Sequence, residues 1–222
     1  MYNKVLSGIL IVLLIAITGT LCYFGYGYFS KIKKEKDAEN YLDNEFETII
    51  VSVKNEVENQ VDNPDEGNVT QNNNVKQNGG STTNTQDNGY YKGYRVAGKL
   101  EMPTIGKKFP ILDEAEYAKA IEVSVLKIYG PDLNTQGNVV IAGHNYNNGT
   151  FFSKNKNLNI GDKIYITDLT GKRVEYTIYS KYYTPESDNT FFNRDTQGKT
   201  EVTLYTCDTT GKNRLIVCAR AE

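Results

Sequence analysis

Three side chains of different chemistry stand where apolar, strand-like runs meet polar turns. Cys207 closes Val202-Thr203-Leu204-Tyr205-Thr206-Cys207 and precedes Asp208-Thr209-Thr210-Gly211. A thiol at a strand end can meet a substrate, and it needs only modest activation to attack a carbonyl carbon. The plain alternative is a small core residue, as most free cysteines are. His144 ends Val139-Val140-Ile141-Ala142-Gly143-His144, so the strand carries the imidazole to an edge, although a lone histidine is more often structural. No other histidine occurs in the chain, and any chemistry needing an imidazole must use this one. Arg214 opens Arg214-Leu215-Ile216-Val217; its alternative is a solvated hairpin arginine. Cys218 alternates with Ile216 and reads as core, Cys22 falls in a long apolar run, and Arg220 has no expected catalytic role. Three cysteines without a CxxC pair define neither a disulfide framework nor a zinc site.

The elements that must position these residues are short strands. Alternation and turn chemistry predict strands over Tyr94–Met102, Lys108–Leu112, Ser124–Tyr129, Asn138–His144, Lys163–Asp168, Arg173–Tyr183, Glu201–Cys207 and Arg214–Arg220. Turns fall at Gly130-Pro131-Asp132, Asn148-Gly149, Asn159–Asp162 and Leu169–Lys172, and Glu114–Glu122 reads as a short helix. Such a series of short strands argues an all-β domain, a closed barrel or a sandwich. Tyrosine is abundant at 17 residues, which suits strands.

Taken together, Gly143-His144, Thr203-Leu204-Tyr205-Thr206-Cys207 and Arg214 resemble the signature of the sortase family. The resemblance runs from Val96 to Ala221 and includes Gly137–His144 and Gly149-Thr150-Phe151-Phe152. It implies an eight-stranded closed β-barrel with short helices, preceded by an N-terminal transmembrane helix. It also implies a cysteine transpeptidase of Gram-positive bacteria that cleaves a Leu-Pro-x-Thr-Gly-like sorting motif after threonine through a thioacyl-enzyme. The acyl group passes to an amine of a cell-wall precursor or a pilin. By the same resemblance Cys207 is the nucleophile, His144 the acid/base and Arg214 the oxyanion stabiliser. Thr206, Ala142, Tyr182, Tyr183 and Thr184 are the expected substrate contacts, with Tyr182–Gln197 as one wall of the groove. No cofactor is expected and calcium is not indicated. A short Tyr182–Gln197 segment, no Asp-Pro-aromatic lid and no second span at the chain end favour a class A or class D/E enzyme over class B or C. The rivals fit less well. Papain-like enzymes place cysteine before histidine, the Gly-Cys-x-Arg cluster of L,D-transpeptidases is missing, and a non-enzymatic surface module needs no reactive thiol.

Residues Val5–Phe29 carry no charge and span about 25 residues, roughly 37 Å of helix, enough to cross a bilayer. A cleaved signal peptide has a shorter apolar core and a small-x-small site, which is not evident here. Leu21 before Cys22 is too large for lipoprotein acylation. The chain thus divides into an anchor (1–30), an amphipathic stalk helix (31–61), an Asn-rich disordered tether (62–89) and a catalytic domain (90–222). On the stalk, Leu42, Phe46, Ile49, Val53 and Val57 form one stripe. That stripe suits another copy, the membrane surface or the catalytic domain, and a stalk with a weakly apolar face is the plainest reading. The tether has too little apolar surface to offset ordering. Orientation is contested. Lys31, Lys33, Lys34 and Lys36 follow the span against only Lys4 before it, which favours a cytoplasmic C-terminus. The tether composition and the family's substrates favour an extracellular one. A net charge of -2 carries no nucleic-acid footprint.

Overall fold

The computed structural model describes residues 2–61, 89–113 and 116–222, with helix side chains described over 6–53. The expected tether lies outside these apart from Gly89, as do residues 114–115 of the expected helix and the side chain of Val57. Helix α1 (Tyr2–Asn44) and helix α2 (Phe46–Val61) precede nine strands: β1 (Tyr90–Tyr91), β2 (Tyr94–Met102), β3 (Lys107–Leu112), β4 (Val125–Tyr129), β5 (Gly137–Ala142), β6 (Lys163–Asp168), β7 (Arg173–Pro185), β8 (Thr200–Cys207) and β9 (Asn213–Ala221). The sheet order is β1-β2-β3-β4-β5-β8-β9-β7-β6, and β6 pairs back onto β2. β2 to β9 therefore form an eight-stranded closed barrel, and β1 is a two-residue addition beside β2. Closure removes the open edges that a flat sheet would expose. At the closing seam Gly98 pairs with Asp168, and a Cβ there would stand 2.4 Å from the Thr167 carbonyl, so the position needs glycine.

Period-two alternation sorts each strand between two environments. Val202 and Leu204 of β8, Val217 and Ala219 of β9, and Val139 and Ile141 of β5 fill the barrel interior. The opposite faces carry Val140, Ile216 and Cys218, which Phe191 covers from the 186–199 loop. Cys218 is buried as expected, but under this loop rather than inside the barrel.

That loop is pinned by a buried charge network. Glu201, whose side chain is wholly buried, accepts hydrogen bonds from Arg194 at 2.7 Å, from Arg220 at 2.7 Å and from the Tyr179 hydroxyl at 2.8 Å. Arg220 is thereby a structural partner. Glu201→Ala is expected to lower stability by about 3 kcal/mol in denaturant unfolding, because it leaves two guanidinium groups without their carboxylate. A loss below about 1 kcal/mol would show that water replaces the carboxylate freely.

Three boundaries differ from expectation. β5 stops at Ala142, because the His144 carbonyl accepts from Phe152 and not from a neighbouring strand, which turns the chain out of the ladder. The expected helix is reduced to α3 (Tyr117–Ala120), with Glu122 in the turn that follows. β7 runs on to Pro185 because Thr184 and Pro185 pair with Arg214 and Asn213.

Among the described residues one helix, α1, is long and apolar enough to cross a membrane. Its Thr18 and Thr20 hydroxyls donate to carbonyls one turn back at 2.9 and 2.7 Å, which satisfies both groups toward lipid. Beyond the apolar run, the end of α1 and the start of α2 lie on the barrel: Ala38, Tyr41 and Leu42 of α1 and Phe46, Ile49 and Ile50 of α2 are buried with Tyr91, Val96, Leu112 and Leu126. Leu42, Phe46 and Ile49 of the stripe recognised in the sequence are thus covered by the barrel, with Val53 partly buried beside them, and each large side chain so buried contributes about 1.5–3 kcal/mol.

Candidate active site

Strands β5 and β8 run side by side and parallel, from Gly137↔Thr200 through Ala142↔Tyr205. The same offset continued two residues further brings His144 level with Cys207, on strands about 4.8 Å apart. The ladder ends at Ala142, but three hydrogen bonds carry the alignment onward. Gly143 N–H donates to Tyr205 O at 3.1 Å, Thr206 Oγ1 donates to Gly143 O at 2.6 Å, and Asn145 Nδ2 donates to Cys207 O at 2.9 Å. The glycine of the Gly-His pair is required by packing, since a Cβ at Gly143 would meet the Phe152 ring at 2.7 Å.

On the other side of β8, Cys207 pairs with Arg214 of β9 in antiparallel register. Arg214 is buried, at 7% exposure, so it is not the solvated hairpin residue that its turn position allows. Its Nε donates to the Tyr205 hydroxyl at 2.9 Å, and its NH1 reaches the Gly211 and Asn213 carbonyls at 3.1 and 3.2 Å. An exposed Glu186 pairs with NH2. Tyr205 in turn stacks on Phe191, with ring centroids 5.3 Å apart. The connecting turn is locked by Asp208, which accepts from Asn213 Nδ2 at 3.0 Å and from Thr210 Oγ1 at 2.9 Å. Desolvation would raise its carboxyl, but these hydrogen bonds outweigh it and bring the group down to about 2. Its folded value is depressed, so its contribution is complete above the unfolded value of about 3.9 and lost only as pH falls through the folded one.

Cys207 is partly exposed and unpaired in any disulfide. His144 stands against Tyr146, with ring centroids 4.9 Å apart, and its Nε2 lies 2.9 Å from Glu122 Oε1. The carboxylate sits off the ring N–H axis, so the contact is Coulombic rather than an aligned hydrogen bond. Burial pushes the imidazole below its ordinary value; Glu122 opposes that shift, while Lys31 and Lys34 add to it.

The remaining expected contacts are distributed around this row. Ala142 is buried at the end of β5, and Thr206 is buried with its hydroxyl turned to Gly143. Tyr182, Tyr183 and Thr184 lie on β7 opposite Ile216, Leu215 and Arg214. Tyr183 is exposed, and Thr184 is buried against Asp188. A groove of about 640 Å³ runs beside β4, lined by Tyr90, Asp113, Tyr117 and Tyr129, and does not cover Cys207. Tyr117 links the two. Burial first, and then Tyr205 and Cys207, raise its hydroxyl. Glu122, Tyr146 and Asn145 carried no signal in the sequence, and Tyr205 entered only as an unassigned position of the Thr203–Cys207 run, because all four act through tertiary contacts. Among the described residues no group of three or more His, Cys, Asp or Glu is placed to share a metal ion.

The closed barrel thus places Cys207 of β8 beside Arg214 of β9, with His144 two residues past the end of the parallel neighbour β5. The model of the Sortase domain matches residues 100–222, more than half of the chain, and the protein belongs to the sortase family. Solved structures agree. Sortase A from Corynebacterium diphtheriae, a lid mutant, is 27% identical with a TM-score of 0.52, over 58% of this chain and 71% of that one. The sortase D5 transpeptidase from Clostridium perfringens is also 27% identical with a TM-score of 0.52, over 58% and 79%. Sortase C-1 from Actinomyces oris, 22% identical with a TM-score of 0.52 over 57% and 74%, supports the fold. No curated protein matches the chain. The protein is a cysteine transpeptidase that sorts surface proteins or pilins, and its apolar N-terminal helix is consistent with membrane anchoring.

Proposed function

We propose that Cys207 is the nucleophile of this transpeptidase, His144 its proton carrier and Arg214 its oxyanion partner. The Cys207 thiolate attacks the carbonyl carbon of the threonine in a Leu-Pro-x-Thr-Gly-like motif. The C–N bond then breaks, His144 gives its proton to the departing glycine amine, and a thioacyl-enzyme remains. An incoming amine loses a proton to His144 and attacks the thioester, and the Cys207 thiolate leaves. Arg214 stays charged throughout and holds the tetrahedral oxygen. One observation supports this reading: β8 pairs Cys207 with Arg214 of β9, and the parallel register of β5 on β8, continued two residues past Ala142, reaches His144 opposite Cys207. The sorting peptide lies over Ala142, with Tyr182, Tyr183 and Thr184 on its β7 side, and Thr206 serves it indirectly by fixing Gly143. The donors are surface proteins bearing the motif, and the acceptor is an amine of a cell-wall precursor or a pilin.

The test incubates the full chain in detergent with a library of quenched sorting peptides and several amines, read by mass spectrometry. Acyl adducts on Cys207 and ligated products are expected. Cleavage without any adduct on Cys207 would remove the assignment.

The barrel belongs on the extracellular side, where such substrates are found, despite the lysines after the span. Protease added to intact, wall-stripped cells is expected to cut the chain within residues 62–89. Because α1 is packed on the barrel, the two fragments separate only on a denaturing gel. Protection until lysis would mean that the lysine count sets the topology.

A further inference from the structure

We propose that Glu122 is a positioning residue for His144, and that the membrane-proximal turn of α1 is built into the active site to hold it there. The proposal rests on the assignment of His144 as proton carrier. One carboxylate oxygen of Glu122 lies 2.9 Å from His144 Nε2. The other accepts from the Tyr146 hydroxyl at 2.9 Å and from Lys34 Nζ at 3.4 Å. Lys31 Nζ stands 3.8 Å from the centre of the Tyr146 ring, a cation–π contact, and this ring lies against the imidazole with centroids 4.9 Å apart. One turn on, buried Glu35 pairs with Lys107 and accepts the Phe151 N–H at 2.6 Å. Phe151 has a φ of 48°, unusual for a bulky residue, so the loop after His144 is held in shape by a side chain of α1. Lys31, Lys34 and Glu35 begin just beyond the apolar run, so the helix that leaves the membrane reaches the site directly.

This arrangement has a chemical consequence. Nε2 is buried against Glu122, which leaves Nδ1 as the nitrogen that exchanges protons with substrate and leaving group. The oxygen lies off the ring axis in the free enzyme, and contacts of this kind tighten when substrate binds. The charged and titratable groups that face the ring are Glu122 from the turn before β4, Lys31 and Lys34 from α1 and Tyr146 from the loop. Burial lowers the imidazole's proton affinity, Glu122 raises it, and the two lysines lower it. Glu122 itself is kept ionised: desolvation opposes its charge, but Tyr146, His144 and Lys34 outweigh that.

The test uses the full chain in detergent, purified without a histidine tag. His144 is the only histidine, so its ring C–H signals in NMR titrate without ambiguity. Glu122→Gln keeps the shape and an acceptor for Tyr146 but removes the charge. It is expected to move the His144 titration to lower pH and to reduce kcat by about 10–100-fold with little change in KM. Glu122→Asp is expected to restore the direction of the titration in part. Lys34→Met is expected to move the titration to higher pH. A structural role alone would lower thermal stability without producing opposite shifts. Unchanged titration and unchanged kcat in a folded Glu122→Gln enzyme would overturn the proposal, as would shifts of the same sign in Glu122→Gln and Lys34→Met. The titrations read the contact even if no peptide is turned over, a result that would count against the assignment of His144 instead.

Discussion

Cys207→Ala is expected to abolish both peptide cleavage and acyl transfer while the barrel remains folded. Loss of the attacking atom in a covalent mechanism costs on the order of 10⁶ in kcat, because no neighbouring group can form the acyl intermediate. Cys207 is partly exposed at the end of β8, so its truncation should alter stability by no more than about 0.5 kcal/mol. Cys218→Ala supplies the contrast. This thiol is buried with Val140, Phe191 and Ile216, and burial raises its pKa, so it is neither accessible nor readily ionised. Its replacement should cost about 1 kcal/mol and leave turnover near the wild-type rate. The two variants together separate nucleophile from core thiol in one assay. Retained turnover in Cys207→Ala, or equal loss in both, would refute the assignment.

Arg214→Lys should lower kcat by about 10²–10³-fold, the usual cost of removing one donor to a developing oxyanion. Charge is preserved in this variant, so the loss isolates geometry. The guanidinium is held in one plane by Tyr205 on Nε and by the Gly211 and Asn213 carbonyls on NH1. A lysine ammonium on a flexible stem cannot make those contacts and still face the thiol. The Glu186 partner is exposed, so solvent and substrate can compete for it and the fork can be freed toward the oxyanion. The arginine does not titrate in the working range, so the shape of the pH–rate profile should persist while its height falls. Arg220→Ala, by contrast, should chiefly affect stability, because Arg220 serves Glu201 about 20 Å further along β9. Near wild-type turnover in Arg214→Lys together with an inactive but folded Arg220→Ala would reverse the roles of the two arginines.

Read from the sequence, His144, Cys207 and Arg214 stand out because each is a rare reactive side chain at the edge of an apolar run, a purely local property. Strand positions follow from the same local alternation, and eight of the nine strands were legible with small shifts at their ends. The two-residue strand Tyr90–Tyr91 is too short to carry a pattern. Alternation says which face a residue occupies but not which strand lies beside it. Only the folded chain sets β5 parallel to β8 with the offset that levels His144 with Cys207. The stripe of Leu42, Phe46 and Ile49 was equally plain, yet its partner was open, since apolar surface is non-directional and any apolar face can cover it. Glu122 could not be singled out among 27 acidic residues. Its role comes from Tyr146 and Lys34, which approach from distant parts of the chain, and such convergence is decided by packing and is not written in spacing.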